Sequence, residues 1–293
     1  MRILVTGRTG QVGYELERSL QGLGEVFAVG REQMDLADFD RMRAVIREIR
    51  PALIVNPAAY TAVDLAESEP ELAMRINGEA PAVMAEEARK LGAAMIHYST
   101  DYVFDGSKEG PYVEDDIPSP LNVYGRTKLA GEQAIQSSGV PHLIFRTSWV
   151  YGTRGKNFLL TVRRLAAERD ELRIVNDQYG APTWCRTIAD TTAHIVAGLQ
   201  TAGRNDGVDL GQWREKSGVY HLSAQGQTTW YGFARAIVEH GSTGCKPRVV
   251  PIETKDYPLP ARRPTNSVMS CEKLAGTFCR LPSWTGALRL CLE

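Results

Sequence analysis

An α/β fold is predicted for this chain: a doubly wound parallel sheet with a smaller C-terminal substrate-binding region. Three observations predict it. Short β-rich apolar runs alternate with amphipathic helical stretches through the first 149 residues, at the intervals that right-handed βαβ units need. The first run stops at a glycine-rich turn that leads straight into a helical pattern, as in a dinucleotide fold. Beyond Trp149 the rhythm loosens, and prolines at 251, 258, 260, 264 and 282 mark an irregular C-terminal region.

Arg2-Ile3-Leu4-Val5-Thr6 ends at Gly7, as a buried parallel strand does. Val12, Leu16 and Leu20 then form a helical stripe, and Val26 to Val29 reads as a second strand. Between Asp38 and Arg50 the apolar residues Phe39, Met42, Val45, Ile46 and Ile49 share one helical face, and Pro51 stops that helix. Leu53 to Val55 is the third strand. A helix-rich stretch from Glu71 to Leu91 leads to the fourth, Ala94 to Tyr98. A helix carrying Tyr124 follows, then a fifth strand, His142 to Arg146. In the second half, helices are expected at Phe158 to Arg169, Arg186 to Leu199 and Trp230 to His240, with strands at Leu172 to Val175 and Val219 to Leu222. Gly203 to Lys216 is polar and reads as a surface loop. The expected organisation is a Rossmann-type dinucleotide-binding domain over 1–149 and a mainly substrate-binding region over 150–293, with the helix at 185–200 packing back on the first.

Hydrophobic residues make up 43% and charged residues 24% of the 293, an ordinary globular balance. The net charge of −1 with scattered basic residues carries no electrostatic footprint for nucleic acid. No apolar run approaches the roughly 20 residues that span a bilayer, and the N-terminal run is too short for a secretory leader. A cytoplasmic protein without membrane or nucleic-acid partners is expected. Cys185, Cys245, Cys271, Cys279 and Cys291 include no C-x-x-C pair and read as free thiols. The histidines show neither H-x-H nor H-E-x-x-H, so no zinc site is expected.

Gly7-Arg8-Thr9-Gly10-Gln11-Val12-Gly13 lies between the first strand and the first helix. Glycine allows a tight turn and a close approach to a pyrophosphate, and the helix N-terminus offers N–H groups to its charge. The spacing is G-x-x-G-x-x-G, one residue longer in its first gap than the common dinucleotide fingerprint. At the tip of the second strand an acid selects the ribose hydroxyls of NADH and an arginine a 2′-phosphate. Here Gly30-Arg31 precedes Glu32, so NADPH is preferred, with NADH as an alternative. Asp35 and Leu36 are placed to flank the adenine, and Ala58, Ala59 and Tyr60 to line the middle of the cofactor.

Tyr124 and Lys128 stand four residues apart on a helix-compatible run, so they share a face. An ammonium near a phenol favours the phenolate and lowers its pKa, which suits Tyr124 to general-acid work. The fourth strand continues into Tyr98-Ser99-Thr100-Asp101-Tyr102, and ligands of parallel sheets gather at the carboxyl ends of strands. Thr100 is therefore expected to hold a substrate carbonyl, Tyr124 to protonate it, and Lys128 to hold the nicotinamide ribose and tune Tyr124. Tyr98 joins the cofactor set.

With these residues in order, the chain resembles the extended short-chain dehydrogenase/reductase superfamily, and within it the dTDP-4-dehydrorhamnose reductases. Besides Gly7 to Gly13, the resemblance is carried by the runs Asn56 to Asp64, Ser99 to Gly106, Ser119 to Gly125, Arg146 to Gly152 and Asn176 to Thr183. It implies NADPH-dependent reduction of the C4 ketone of dTDP-4-dehydro-L-rhamnose, with Asp101, Tyr102 and Trp149 helping to seat the sugar. It also implies a magnesium site at a dimer contact in some members. Glu15 matches one ligand there but Arg186 replaces another, so neither that metal nor that form of homodimer is expected. Gly30 stands where relatives often have an acid, and Tyr60 where many have histidine. Two rival readings are weighed. One is a sugar-nucleotide 4,6-dehydratase or epimerase of the same superfamily; dehydratases carry Glu after the Thr-Asp pair, whereas this chain has Tyr102, and both kinds recycle their cofactor instead of consuming it. A non-catalytic regulatory subunit of the methionine adenosyltransferase type shares the Asp101 to Gly106 run, but the intact Asn176 to Thr183 segment favours the reductase.

Overall fold

The apolar runs of the first half pair side by side in register. In the computed structural model, which describes residues 1–200, 208–241 and 246–293, they form β1 (Arg2–Val5), β2 (Glu25–Ala28), β3 (Leu53–Asn56), β4 (Ala94–Thr100) and β5 (His142–Thr147). The later strands are β6 (Val150–Tyr151), β7 (Glu171–Val175), β8 (Tyr179–Gly180), β9 (Thr183–Trp184), β10 (Gly218–His221), β11 (Thr228–Thr229) and β12 (Arg248–Ile252). The main sheet runs β10-β5-β4-β3-β1-β2, every pair parallel. β3, β4 and β5 are buried along their whole lengths, which is why they read as continuous apolar runs.

Helices cover both faces. They are α1 (Gln11–Ser19), α2 (Phe39–Ile49), α3 (Val63–Ala66), α4 (Pro70–Met74), α5 (Ala80–Leu91), α6 (Val123–Ser138), α7 (Phe158–Glu168), α8 (Cys185–Gly198), α9 (Leu210–Glu215), α10 (Trp230–His240), α11 (Glu272–Thr277) and α12 (Trp284–Leu292). Leu16 of α1 and Leu20 at its C-terminal cap join Ile188 and Ile195 of α8 against Ile3, Val5 and Val55. Met42 and Ile46 of α2, Met84 of α5 and Ile135 of α6 cover Leu4, Ile54 and Met95 on the other side. The alternation Ile3, Leu4, Val5 between the two cores is the period of two of a strand. The chain leaves β1 for β2 on one side and returns to β3 on the other, which opens a crevice at the carboxyl ends of β1 and β3. A third core holds the C-terminal region, where Leu159 and Val162 of α7 meet Leu172, Phe233, Ile237 and Leu288.

Several expectations change here. The strand near Val219 to Leu222 is β10, and it belongs to the main sheet beside β5, not to the C-terminal region. With α8 packed on α1 and β10 on β5, the sheet does not stop at residue 149. Of the expected loop, residues 203–207 lie outside the described residues, and Leu210–Glu215 is a helix instead. Asp209 caps it and Trp213, 1% exposed, anchors it to the core under α8. Pro251 lies inside β12, which pairs only with β7, so its missing N–H faces an open edge. β4 runs on through Ser99 to Thr100. The stretch before it holds a π turn, Arg75–Glu79, between α4 and α5. Cys245 lies outside the described residues, and the other four cysteines are unpaired. No helix among the described residues is long and apolar enough to cross a membrane.

Candidate active site

The crevice between β1 and β3 is floored by the glycine loop. Gly7 has φ +62°, where a side chain is strained, and a Cβ there would stand 3.0 Å from the Cβ of Ala58. A Cβ at Gly13 would run into the Gly7 carbonyl, so only glycine lets α1 start this close to the turn. Gly10 precedes α1 and no side chain caps that end. The first-turn N–H groups and the positive end of the helix dipole therefore face the crevice, a fit for a pyrophosphate. Gln11 accepts from Asn157 Nδ2 at 2.8 Å, and Asn157 also caps α7. That bond ties the C-terminal region to the loop. Val12 packs on the sheet.

Around the tip of β2, the Gly30 N–H donates to Gln33 at 2.9 Å. Arg31 pairs with Asp35 at 3.1 Å and leaves most of its side chain exposed. The Ala37 N–H, with help from Arg31, holds the Asp35 carboxyl below its usual value. Arg8 was not singled out from the sequence, yet its stem lies against Gly30, where a Cβ would be 3.7 Å from its Cγ. Two arginines thus flank Gly30, and the signal was an arginine inside the glycine motif itself. Leu36 is buried in the α2 core. Further along the crevice, the Tyr60 backbone is gripped by Asn77 of the π turn, N–H to Oδ1 at 2.8 Å and Nδ2 to carbonyl at 3.0 Å. Ala59 stands between Ala58 and this clamp, half-buried. The Tyr60 phenol turns away to Glu69 at 2.7 Å.

Thr100 ends β4 with its hydroxyl donating to Asp101 at 3.0 Å and accepting the Tyr102 N–H at 3.1 Å. Tyr124, in the first turn of α6, has that hydroxyl as a neighbour that works to lower the pKa of its phenol. Asn122 fixes the start of α6 by accepting the Gly125 N–H at 2.8 Å. A Cβ at Gly125 would collide with the Tyr102 carbonyl, so this glycine brings Tyr124 down onto the strand end. Lys128 follows one turn later, 1% exposed, and donates to the Tyr98 carbonyl at 2.6 Å. Its Nζ is also 3.2 Å from His97 Nε2.

Thr100 and Tyr124 are thus neighbours, with Lys128 one turn further along α6, but the electrostatics differ from the expectation. Burial pushes the Tyr124 phenol up to about 12; the Thr100 hydroxyl opposes this and Asp101 adds to it. Lys128 does not lower it, because the ammonium is engaged by the Tyr98 carbonyl and His97 on the strand beneath. Burial brings Lys128 itself down to about 8, against the pull of Glu132. Tyr98 offers the site its carbonyl only. Its ring lies on the opposite face of the sheet, with its hydroxyl 2.7 Å from Thr192 of α8.

Asp101 is 3% exposed and accepts from the hydroxyls of Thr100 and Ser148. It is a buried side chain, and burial raises its carboxyl to about 6. Tyr102 stands edge-on to Tyr124, ring centres 5.8 Å apart. Arg263 reaches Tyr102 and grips Asp64 with two bonds of 3.0 and 2.7 Å. Trp149 has φ +47° and lies flat on Trp230 at 3.6 Å, so one of its faces is already covered. A cavity of about 630 Å³ is lined by Phe158, Gln178, Trp230, Tyr257, Arg262 and Arg263 among others. Sequence reasoning missed Trp230 and Arg263, which lie far along the chain from every motif. Among the described residues no group of three or more His, Cys, Asp or Glu could hold a metal ion.

The chain matches the family model described as RmlD substrate binding domain over residues 1–293. It is 50% identical to a dTDP-4-dehydrorhamnose reductase of Burkholderia thailandensis, covering 100% of this chain and 98% of that protein. It is 47% identical to one of Escherichia coli K12, covering 97% and 94%. A crystal structure of the Bacillus anthracis dTDP-4-dehydrorhamnose reductase in complex with NADP is similar at a TM-score of 0.89, with 32% identity and 99% and 98% coverage.

Proposed function

Because this chain belongs to the RmlD substrate binding domain family along its whole length, we propose a role for each residue of its site. The protein is an NADP-dependent oxidoreductase that reduces the C4 ketone of dTDP-4-dehydro-β-L-rhamnose to dTDP-β-L-rhamnose. Bound in the crevice, the reduced cofactor supplies the hydride. Gly7, Gly10, Gln11, Val12 and Gly13 hold its pyrophosphate on the α1 N-terminus, while Arg31 and Arg8 meet the 2′-phosphate beside Gly30. Ala58, Ala59 and the backbone of Tyr60 line its middle.

The convergence of Thr100 and Tyr124 at one strand end carries the assignment of the chemistry. A phenol at about 12 is fully protonated at neutral pH, so Tyr124 always has a proton to give to the oxygen on C4. The Thr100 hydroxyl, its proton swung from Asp101 toward the reacting oxygen, holds that oxygen while Tyr124 protonates it. Lys128 sits beneath, holding the ribose side of the site. Asp101 orients Thr100 and Ser148, while Tyr102 and the Trp149–Trp230 pair border the sugar. The nucleotide lies in the 630 Å³ cavity, where Arg262 and Arg263 offer charge to its phosphates.

We place the protein in the cytoplasm, with its thiols reduced. Any homodimer forms without a bridging magnesium, since Arg186 on α8 pairs with Asp190 and puts a cation next to Cys185, which Glu15 faces. Following nicotinamide absorbance with NADPH and freshly generated dTDP-4-dehydro-L-rhamnose tests the proton donor. Tyr124→Phe is expected to lose on the order of 10²–10⁴ in kcat with little change in NADPH affinity. Undiminished turnover in that variant removes Tyr124 from the mechanism.

A further inference from the structure

Behind Lys128 runs a row of buried polar groups that the roles above leave unused. His97 Nε2 is 3.2 Å from Lys128 Nζ, and its Nδ1 is 3.0 Å from Asn56 Nδ2. The Thr6 hydroxyl donates to Asn56 Oδ1 at 2.6 Å, and Thr6 Oγ1 accepts the Ala58 N–H at 3.2 Å. Thr6, Asn56 and His97 are 1%, 0% and 0% exposed. They come from the ends of β1 and β3 and the middle of β4, so the row crosses the sheet from the glycine-loop crevice to α6.

The chemistry of these groups restricts how the row can be ordered. Burial, with the neighbouring Lys128 charge, keeps His97 neutral. A neutral imidazole has one N–H and one lone pair, and an ammonium is a donor only. A charged Lys128 therefore requires the His97 lone pair on Nε2 and the N–H on Nδ1. Asn56 must then turn its oxygen to Nδ1 and its NH2 to Thr6, which reverses the Thr6–Asn56 bond so that Thr6 Oγ1 accepts from the amide and no longer donates to it; the near-symmetric amide makes this exchange without moving its outline. The opposite order, with the Asn56 NH2 on Nδ1, puts Nε2–H against Nζ and suits only a neutral amine. The row thus has two orders, and they differ by the proton on Lys128.

We propose that His97 is a positioning residue for the reduction: its Nε2 accepts from Lys128 and keeps that ammonium charged and aimed at the cofactor side, with Asn56 selecting the tautomer. This rests on the reading that Lys128 serves the cofactor. The groups that face Lys128 are Glu132 on its own helix, His97 and the Tyr98 carbonyl from β4, and Arg146 of β5, which holds Glu132 at 2.9 and 2.7 Å. A buried ammonium deprived of the imidazole acceptor gives up its proton more easily, so the active form is lost at lower pH.

The test follows kcat/KM for NADPH across the neutral to alkaline range, together with NADPH affinity by fluorescence. His97→Leu moves the alkaline limb down by about one pH unit and weakens NADPH about tenfold. His97→Gln, whose amide oxygen reaches the Nε2 position, restores both. An unmoved limb in His97→Leu, or equal damage in the two variants, overturns the proposal. Lys128→Met is the separate control: wild-type kinetics and NADPH affinity there would mean that the reading of Lys128 itself fails, whatever His97 does. A second readout needs no stable Leu variant. Imidazole ¹⁵N spectra of the wild-type protein at neutral pH, with the His97 signals identified by their loss in His97→Gln, show the Nδ1–H tautomer; an Nε2–H tautomer overturns the proposal.

Discussion

Tyr124, Lys128 and Asp101 owe their acid–base character to what surrounds them. Tyr124 and Lys128 stand four residues apart, as the sequence states, yet the phenol is raised to about 12 because burial outweighs a lysine whose hydrogen bonds go elsewhere. Asp101 was legible as a site residue, but not as a buried one. Its carboxyl is raised from the usual 3.8 to about 6, so the folded state keeps a proton that the unfolded chain has already lost. Stability from this group is complete below about pH 4 and disappears as pH rises through about 6, a change on the order of 3 kcal/mol for a shift of about two units. Asp101→Asn does not titrate. Its unfolding free energy minus that of wild type, from urea titrations, is expected to rise by about that amount between about pH 4 and about pH 7. A difference independent of pH contradicts the burial argument.

Periodicity and capping made most elements readable. α2 lies between its Asp38 cap and Pro51, as its apolar stripe says, and α10 spans Trp230–His240 as expected. The glycine loop was readable because glycine is the residue that such a turn needs, but the order of need was not. Gly13 has the least room, since a Cβ there meets the Gly7 carbonyl, whereas one at Gly10 would have a single neighbour at 3.2 Å. Gly13→Ala is expected to push α1 off the turn, lowering stability by about 1–3 kcal/mol and weakening NADPH at least tenfold. Gly10→Ala should do far less to stability. Thermal unfolding and NADPH titration of both variants check the order, and equal losses refute it. α9 was missed because its polar sequence hides a single anchoring residue, Trp213.

Across the whole molecule, the second half named from the sequence contributes elements to the sheet and core of the first. β10 supplies the outer neighbour of β5, and α8 covers the face of β1, β3 and β4 that α1 leaves bare. A fragment of residues 1–149 keeps the glycine loop, Thr100, Tyr124 and Lys128, but exposes an unpaired β5 edge and half of an apolar sheet face. It is expected to lack a cooperative urea transition and to bind no NADPH, and a cooperative, cofactor-binding fragment would show that the first half folds by itself.

The sequence by itself determined the α/β class, the five strands of the first half, the glycine loop and the neighbourhood of Thr100 and Tyr124. All of these follow from local periodicity, turn chemistry and the rule that sites form at the carboxyl ends of parallel strands. The tertiary structure alone decided the sheet position of β10, the side of the sheet that takes the Tyr98 ring, the burial of Asp101, and the arrival of Trp230 and Arg263 at the site. It also decided which proton each group keeps. Burial and hydrogen bonding are sums over neighbours that come from distant parts of the chain, and no spacing within a motif contains them.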